Sequence, residues 1–384
     1  MRILWIGLVT LFVAAPASAQ SIDVDIDISA AQRLLEIACS GTGIDQSEFT
    51  ESALVQSQID HHQEFGDRFS MENYLAGLRD LSACKTPQPD PFRFKSLVEK
   101  RPLMEKAIGY LTLNRDDLIE RVHDNLMPYV PEDMAFDGKA IIAAASFSCG
   151  GFSNRGLFFI DLPCLAPDIE GEYDAIAQLI THETYHAMQN RFASKPMVSK
   201  DEVATDVQAW DYMFHRLAIE GSASFVGDMR DIKGDGRYAK YSRDVARRSF
   251  RHLKYNFQLL GILMEAIGHE PARVKERFPE IYGLAFDGSF GELSYFTGLQ
   301  MTAEIVHSFG AQSLPCLLAQ PPENFALAYH QALADGDNLD KSEALPSSIV
   351  EIAVSLSQER PKTSGVDACL DQSLALSQPI AKIE

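Results

Sequence analysis

Apolar residues recur every three to four positions along most of the chain, and wherever they do the pattern predicts an amphipathic helix. Residues 28–38, 52–65, 71–81, 92–111 and 115–126 carry it in the first third, separated by Gly, Pro and Asp breaks such as KTPQPDP at 85–91. The period then changes. AIIAAASF at 140–147 and GLFFIDL at 156–162 read as strands, joined by the Gly-rich turn CGGFSNRG at 149–156 as a hairpin. DVDIDIS at 23–29 alternates as a strand does, and reads equally as a frayed acidic terminus. From Glu172 the helical period returns and persists to about residue 360. The expected class is mainly α (α+β), with a small sheet just ahead of the helix that begins near Tyr173. The expected division is residues 1–19, a helical region 20–135, a second unit 136–360 and a tail 361–384.

One of these helices carries chemistry. In LITHETYHAMQ, residues 179–189, His182 and His186 stand four apart. On a helix that spacing rotates by only about 40° and rises about 6 Å, so two imidazoles reach one cation. Glu183 projects about 100° away, where a carboxylate serves a water held beside the metal without taking its place as a ligand. The flanks agree: Tyr173, Ile176, Ala177 and Ile180 bury one face, and Lys195-Pro196 closes the run. With 10 His in the chain, the pattern arises by chance about 0.02 times, which leaves a plain amphipathic helix as the weaker reading. GHEPAR at 268–273 starts the same way, but Pro271 and Arg273 spoil it.

A catalytic zinc takes three protein ligands and keeps one position open. Glu220, in LAIEGSASFVGD, is the preferred third donor, with 33 residues between it and His186. Small residues at 221–224 are expected to let its helix approach the histidine helix closely. Asp206 is the rival, at a spacing familiar from other zinc proteases. The two lie about 21 Å apart on a continuous helix and cannot share an ion. Glu202 and Asp211 read as solvated positions.

Composition narrows the partners. Lys plus Arg number 34 against 54 Asp plus Glu, a formal charge of −20, which repels nucleic acid and anionic lipid. The first residues hold Arg2, an apolar run from Ile3 to Ala15 and Ala17-Ser18-Ala19, the form of an export signal cleaved near Ala19. No later run is long enough to insert in a membrane, so a periplasmic or secreted protein is expected. Six cysteines suit an oxidising compartment. Neighbours in sequence suggest Cys39 with Cys84 and Cys316 with Cys369; if the two strands form a hairpin, Cys149 and Cys164 sit too far apart to bridge, and that pairing stays open. DIKGDGRY at 231–238 lacks the carboxylates of a calcium loop and reads as a turn. His61 and His62 are adjacent, point apart and are expected in solvent.

HETYH followed by EGSA resembles the gluzincin group of zinc metallopeptidases. The order HETYHAMQ, RLAIEGSASFVGD, SYFTGLQMTAEIVHSFG and PPENFALAYH is similar to uncharacterised bacterial families of zinc-dependent peptidases, over roughly residues 140–335. The resemblance implies a zincin-like core with an added N-terminal helical region. It also implies one Zn²⁺ on His182, His186 and Glu220, and Glu183 as general base. A later Tyr or His would steady the oxyanion, with Tyr295 the candidate and His307 and His215 the alternatives. GLFFID stands where zincins place an edge strand for the substrate, and reads equally as a buried core strand. The gap before Glu220 is longer than in the better-known relatives. The expected function is zinc-dependent hydrolysis of a peptide or protein substrate. Zinc hydrolysis of another amide or ester is the alternative within enzymes, and a metal-stabilised binding protein is the alternative outside them. Glu183 argues against the latter, because a purely structural site has no use for it.

Overall fold

A computed structural model of the chain describes residues 20–63, 65–146, 149–154, 157–287, 292–335, 343–360 and 369. The segments expected as an export signal (1–19) and a C-terminal tail (361–384), apart from Cys369, lie outside the described residues. The first part comprises β1 (Ser21–Asp27), α1 (Ser29–Ile37), α2 (Gln46–Thr50), α3 (Ala53–Gln63), α4 (Met71–Ser82), α5 (Lys95–Glu99), α6 (Arg101–Leu113) and α7 (Arg115–Leu126). Next come β2 (Ala135–Ala143), β3 (Gly151–Asn154), β4 (Leu157–Asp161), α8 (Leu162–Leu165) and α9 (Tyr173–Phe192). The remainder is helical: α10 (Asp206–Val226), α11 (Arg237–Arg251), α12 (Leu253–His269), α13 (Val274–Phe286), α14 (Leu293–Phe309), α15 (Ser313–Leu318), α16 (Glu323–Asp335) and α17 (Ser347–Glu359). The mainly α class with a small sheet is what the periodicity predicts.

The sheet differs from the hairpin expectation. Its order is β1-β2-β4-β3, with β1/β2 and β2/β4 parallel and only β3/β4 antiparallel. Residues expected as a turn form β3, which carries the chain back so that β4 can run alongside β2, since parallel neighbours need a return path. Phe158 and Ile160 enter the main core, while Phe159 joins Ile141, Ala143 and Phe152 on the opposite face. Burial on both faces explains the continuous apolar run of β4. Because β3 turns back, the Asp161 amide bonds the Gly150 carbonyl at 2.8 Å. Cys149 therefore sits beside the end of β4 and bridges Cys164, with a Cα separation of 5.6 Å. The span that argued against this disulfide belonged to the wrong hairpin.

Residues 21–27 are a strand, not a frayed terminus. Val24 and Ile26 enter the core, and the alternate Asp25 pairs with Arg115. Cys39–Cys84 and Cys316–Cys369 are bridged as their neighbourhood suggests. Three disulfides point to an extracytoplasmic compartment. Among the described residues no helix is long and apolar enough to cross a membrane.

Three helices, α9, α10 and α14, frame the candidate site. Helix α9 lies against the sheet, with Ile176, Ala177, Ile180 and Met188 buried. Helix α10 starts at a reciprocal cap, in which Thr205 Oγ1 accepts from the Gln208 amide and Gln208 Oε1 accepts from the Thr205 amide. It meets α14 at Gly221 and Gly298, where a Cβ on Gly221 would fall 2.4 Å from the Gly298 Cα. The small residues after Glu220 thus serve two neighbours: Gly221 closes on α14, while Ser222 bonds Gln189 of the histidine helix at 2.8 Å.

Two polar positions expected in solvent are inside. Asp211 is buried, accepting from the Met197 amide at 2.6 Å and pairing with Arg360. His62 is buried too, with Nδ1 2.6 Å from the Gln58 carbonyl, while His61 stacks on Phe152 at 4.2 Å. Helix α3 packs on β3, which turns both rings inward.

Candidate metal centre

Helical spacing does most of the assembly. His182 and His186 project from successive turns of α9 with their Nε2 atoms 3.1 Å apart. Glu220 Oε2 arrives from α10, 3.2 Å from His186 Nε2 and 4.0 Å from His182 Nε2. Four tetrahedral donors about 2.05 Å from a zinc ion lie about 3.3 Å from one another. The observed separations bracket that edge, and no other group of His, Cys, Asp or Glu among the described residues converges this way. The residues present therefore fit one small divalent ion.

Outer contacts hold each donor. His186 Nδ1 is 2.8 Å from Gln189 Oε1, and the Gln189 amide nitrogen donates to Ser222 Oγ at 2.8 Å and the Ile219 carbonyl at 3.1 Å. With Gln189 accepting, His186 keeps its proton on Nδ1 and turns a lone pair inward. His182 bonds the Ala223 backbone, and burial pushes its pKa down to about 3, so it is neutral as a ligand must be. Glu220 gives its second oxygen to Arg216, one turn earlier on α10. Burial opposes its ionisation, but Arg216 and the two imidazoles outweigh that and hold the carboxyl well below the usual range.

Around the three donors opens a cleft of about 430 Å³. Glu183 lines it, and burial lifts its pKa to about 7, the range suited to a group that takes and returns protons near neutrality. Strand β3 borders Glu183 closely: a Cβ at Gly151 would lie 3.0 Å from its Cγ. β4 is interior, so the edge strand by the cleft is β3, not GLFFID. Tyr295, from α14, lines the same cleft; burial and the nearby Glu220 carboxylate push its pKa well up, so the phenol keeps its proton as a donor.

The other candidates fall away. Asp206 is the first residue of α10 and accepts from the Val207 amide at 2.9 Å, three turns and more from Glu220. His215 lines an adjoining cavity with Arg216 and Tyr282 that also reaches His186 and Glu220 but neither Glu183 nor Tyr295, so it stands on the other side of the donors from the base. His307 is exposed on α14. Glu270 of the false motif pairs with Arg273 at 2.9 Å. A second cavity of about 440 Å³, on the far face of the sheet, is lined by Ala30, Leu54, Ile141 and Phe159 and holds none of these groups.

Sequence reading missed several lining residues: His61, Phe152, Tyr238, Tyr241, Glu292 and Phe296. Gln189 and Arg216 carried a signal, at i+3 from His186 and i−4 from Glu220. Tyr238 carried none. It reaches the cleft because Glu172, just ahead of α9, accepts from the Tyr238 and Ala239 amides at 2.7 and 2.8 Å and so pins the start of α11.

Comparison with known proteins places most of the chain in one family. Residues 54–337 match the model of the family described as "Putative zinc dependent peptidase (DUF5700)". The match takes in α9, α10 and α14, and with them all five residues singled out as donors, base or oxyanion partner. No curated protein and no solved structure matches the chain.

Proposed function

The chain belongs to that family of zinc-dependent peptidases, and from this premise we propose an exported peptidase of gluzincin type, in the periplasm or medium after cleavage near Ala19. His182, His186 and Glu220 hold one zinc ion. The single observation that carries the reading is the convergence of those three donors within 4.8 Å, beside a buried carboxylate in an open cleft.

A zinc ion held there supplies Lewis acidity toward water and the scissile carbonyl. The chain's own groups do the rest. Glu183 takes a proton from the attacking water on a carboxylate oxygen and delivers it to the leaving amine. Tyr295 donates its phenolic hydrogen bond to the developing oxyanion. The outer edge of β3 pairs with an extended peptide through main-chain hydrogen bonds and holds the bond to be cut over Glu183. Gln189 and Arg216 keep the donors aligned while charge develops.

The test uses the purified full chain. Its metal content is expected to be one zinc per chain, and a mixed-peptide library is expected to be cleaved. Glu183→Gln is expected to retain the metal and lose about 10²- to 10⁴-fold in cleavage rate. Full activity in the variant, or a wild type that binds no metal, sinks the reading.

A further inference from the structure

We propose that Glu292 gives the cleft a subsite for a positively charged group of the substrate, either a free α-ammonium or a Lys or Arg side chain. The inference rests on the peptidase reading and names its substrate class.

Glu292 lines the metal cleft immediately before α14. It lies near enough to Glu220, Tyr238 and Tyr295 to act on each electrostatically. The other cleft carboxylates are engaged. Asp228 pairs with Arg230 at 2.6 Å, Glu220 is held by Arg216 and His186, and Glu183 is assigned to proton transfer. Among the described residues the Glu292 carboxylate has neither a hydrogen-bond nor an ion-pair partner, and it does not cap its own helix. Arg230 is, among the described residues, the one Lys or Arg lining the cleft, and it is committed to Asp228 and to the Phe250 ring, 5.1 Å away.

Two further features fit a cation. Glu292 has φ +57°, a backbone that Gly or Asn adopts more readily, so a carboxylate stands where backbone preference alone would choose otherwise. Tyr238, Tyr241 and Phe296 line the same cleft, and their ring faces favour an ammonium or guanidinium group over a neutral one. A half-buried carboxylate without a partner binds a substrate cation well because its water has already been partly removed.

The test uses four peptides of one sequence on the zinc-loaded full chain: amino terminus free or acetylated, crossed with Lys or norleucine next to the scissile bond. Binding is measured on Glu183→Gln, whose turnover is expected to be slow enough to leave peptide intact during the measurement, and on Glu183→Gln/Glu292→Gln; cleavage is measured on the wild type. Peptides bearing the recognised cation are expected to bind at least about tenfold tighter than the acetylated norleucine peptide. Glu292→Gln is expected to bring that ratio close to one. A ratio that follows the free amine identifies an aminopeptidase; one that follows Lys identifies a subsite for basic side chains. Equal binding of all four, a ratio that survives Glu292→Gln, or a uniform loss that leaves the ratio intact overturns the inference. Cleavage without charge preference defeats the cation subsite and leaves the peptidase standing. Charge preference on the binding arm with no cleavage by the wild type does the reverse.

Discussion

Asp161 closes β4 with both carboxylate oxygens buried and, among the described residues, without a hydrogen-bond partner. Burial pushes its pKa well above the ordinary carboxylate value, and the charges of Arg93 and Lys100 only partly oppose this. The folded chain therefore binds a proton that the unfolded chain has released. The contribution of Asp161 to stability is accordingly full below the usual carboxylate range and is lost as pH rises through the raised value. Within that window the loss is up to about 1.4 kcal/mol per pH unit. Asp161→Asn removes the titration, so its melting temperature relative to wild type is expected to climb as pH rises above the ordinary carboxylate range and to level off once the raised value is passed. A difference that stays constant as pH rises above the ordinary carboxylate range contradicts the assignment. At this scale the sequence is most legible where helical spacing turns residue identity into geometry, as with His182, Glu183 and His186, and with Glu220 set one turn after Arg216. Glu292 and Tyr238 were illegible because their place in the cleft depends on how α11 and α14 pack, which no local spacing encodes.

Between elements, the approach of α10 to α14 decides where Glu220 sits. Gly221 and Gly298 meet backbone to backbone, and neither can rotate away. For Gly221→Ala two effects compete. Helix propensity favours Ala by up to about 1 kcal/mol, while forcing apart a packed interface costs about 1–3 kcal/mol. The clash is with main-chain atoms, so the second wins: the variant is expected to melt lower and, because Glu220 shifts with it, to bind zinc more weakly. Gly109 in α6 is the control, since a Cβ there meets nothing within 4 Å and Gly109→Ala is expected to gain up to about 1 kcal/mol. Thermal denaturation and zinc titration of the two variants check the opposed signs; a shared direction defeats the argument. Helices were readable along the chain because the 3.6-residue period is a local property. Strand partners were not. A period of two marks a strand without naming its neighbour, and β3, four residues long with a Gly and a Ser, presents as a turn. That single difference decides two questions the sequence leaves open: it brings Cys149 beside Cys164, and it makes β3, not GLFFID, the edge strand.

Across the whole molecule, the formal charge of −20 sets a long-range field that acts before any subsite is reached. It attracts cationic peptides and repels acidic ones, and salt screens it: the Debye length falls from about 30 Å at 0.01 M to about 8 Å at 0.15 M. Over that range kcat/KM for a peptide of charge +3 is expected to fall several-fold, that for a neutral peptide to stay level, and that for a peptide of charge −3 to rise. Glu292 acts differently, at contact distance inside the cleft, where screening is weak. The two contributions can be separated in one protein. Glu292→Gln changes the net charge by one in twenty, so it is expected to remove most of the preference for a cation beside the scissile bond and to leave the salt dependence nearly unchanged. If the substitution also flattens the salt dependence, encounter is governed at the cleft and not by the field of the chain; if all three peptides respond to salt alike, the field does not steer substrate at all.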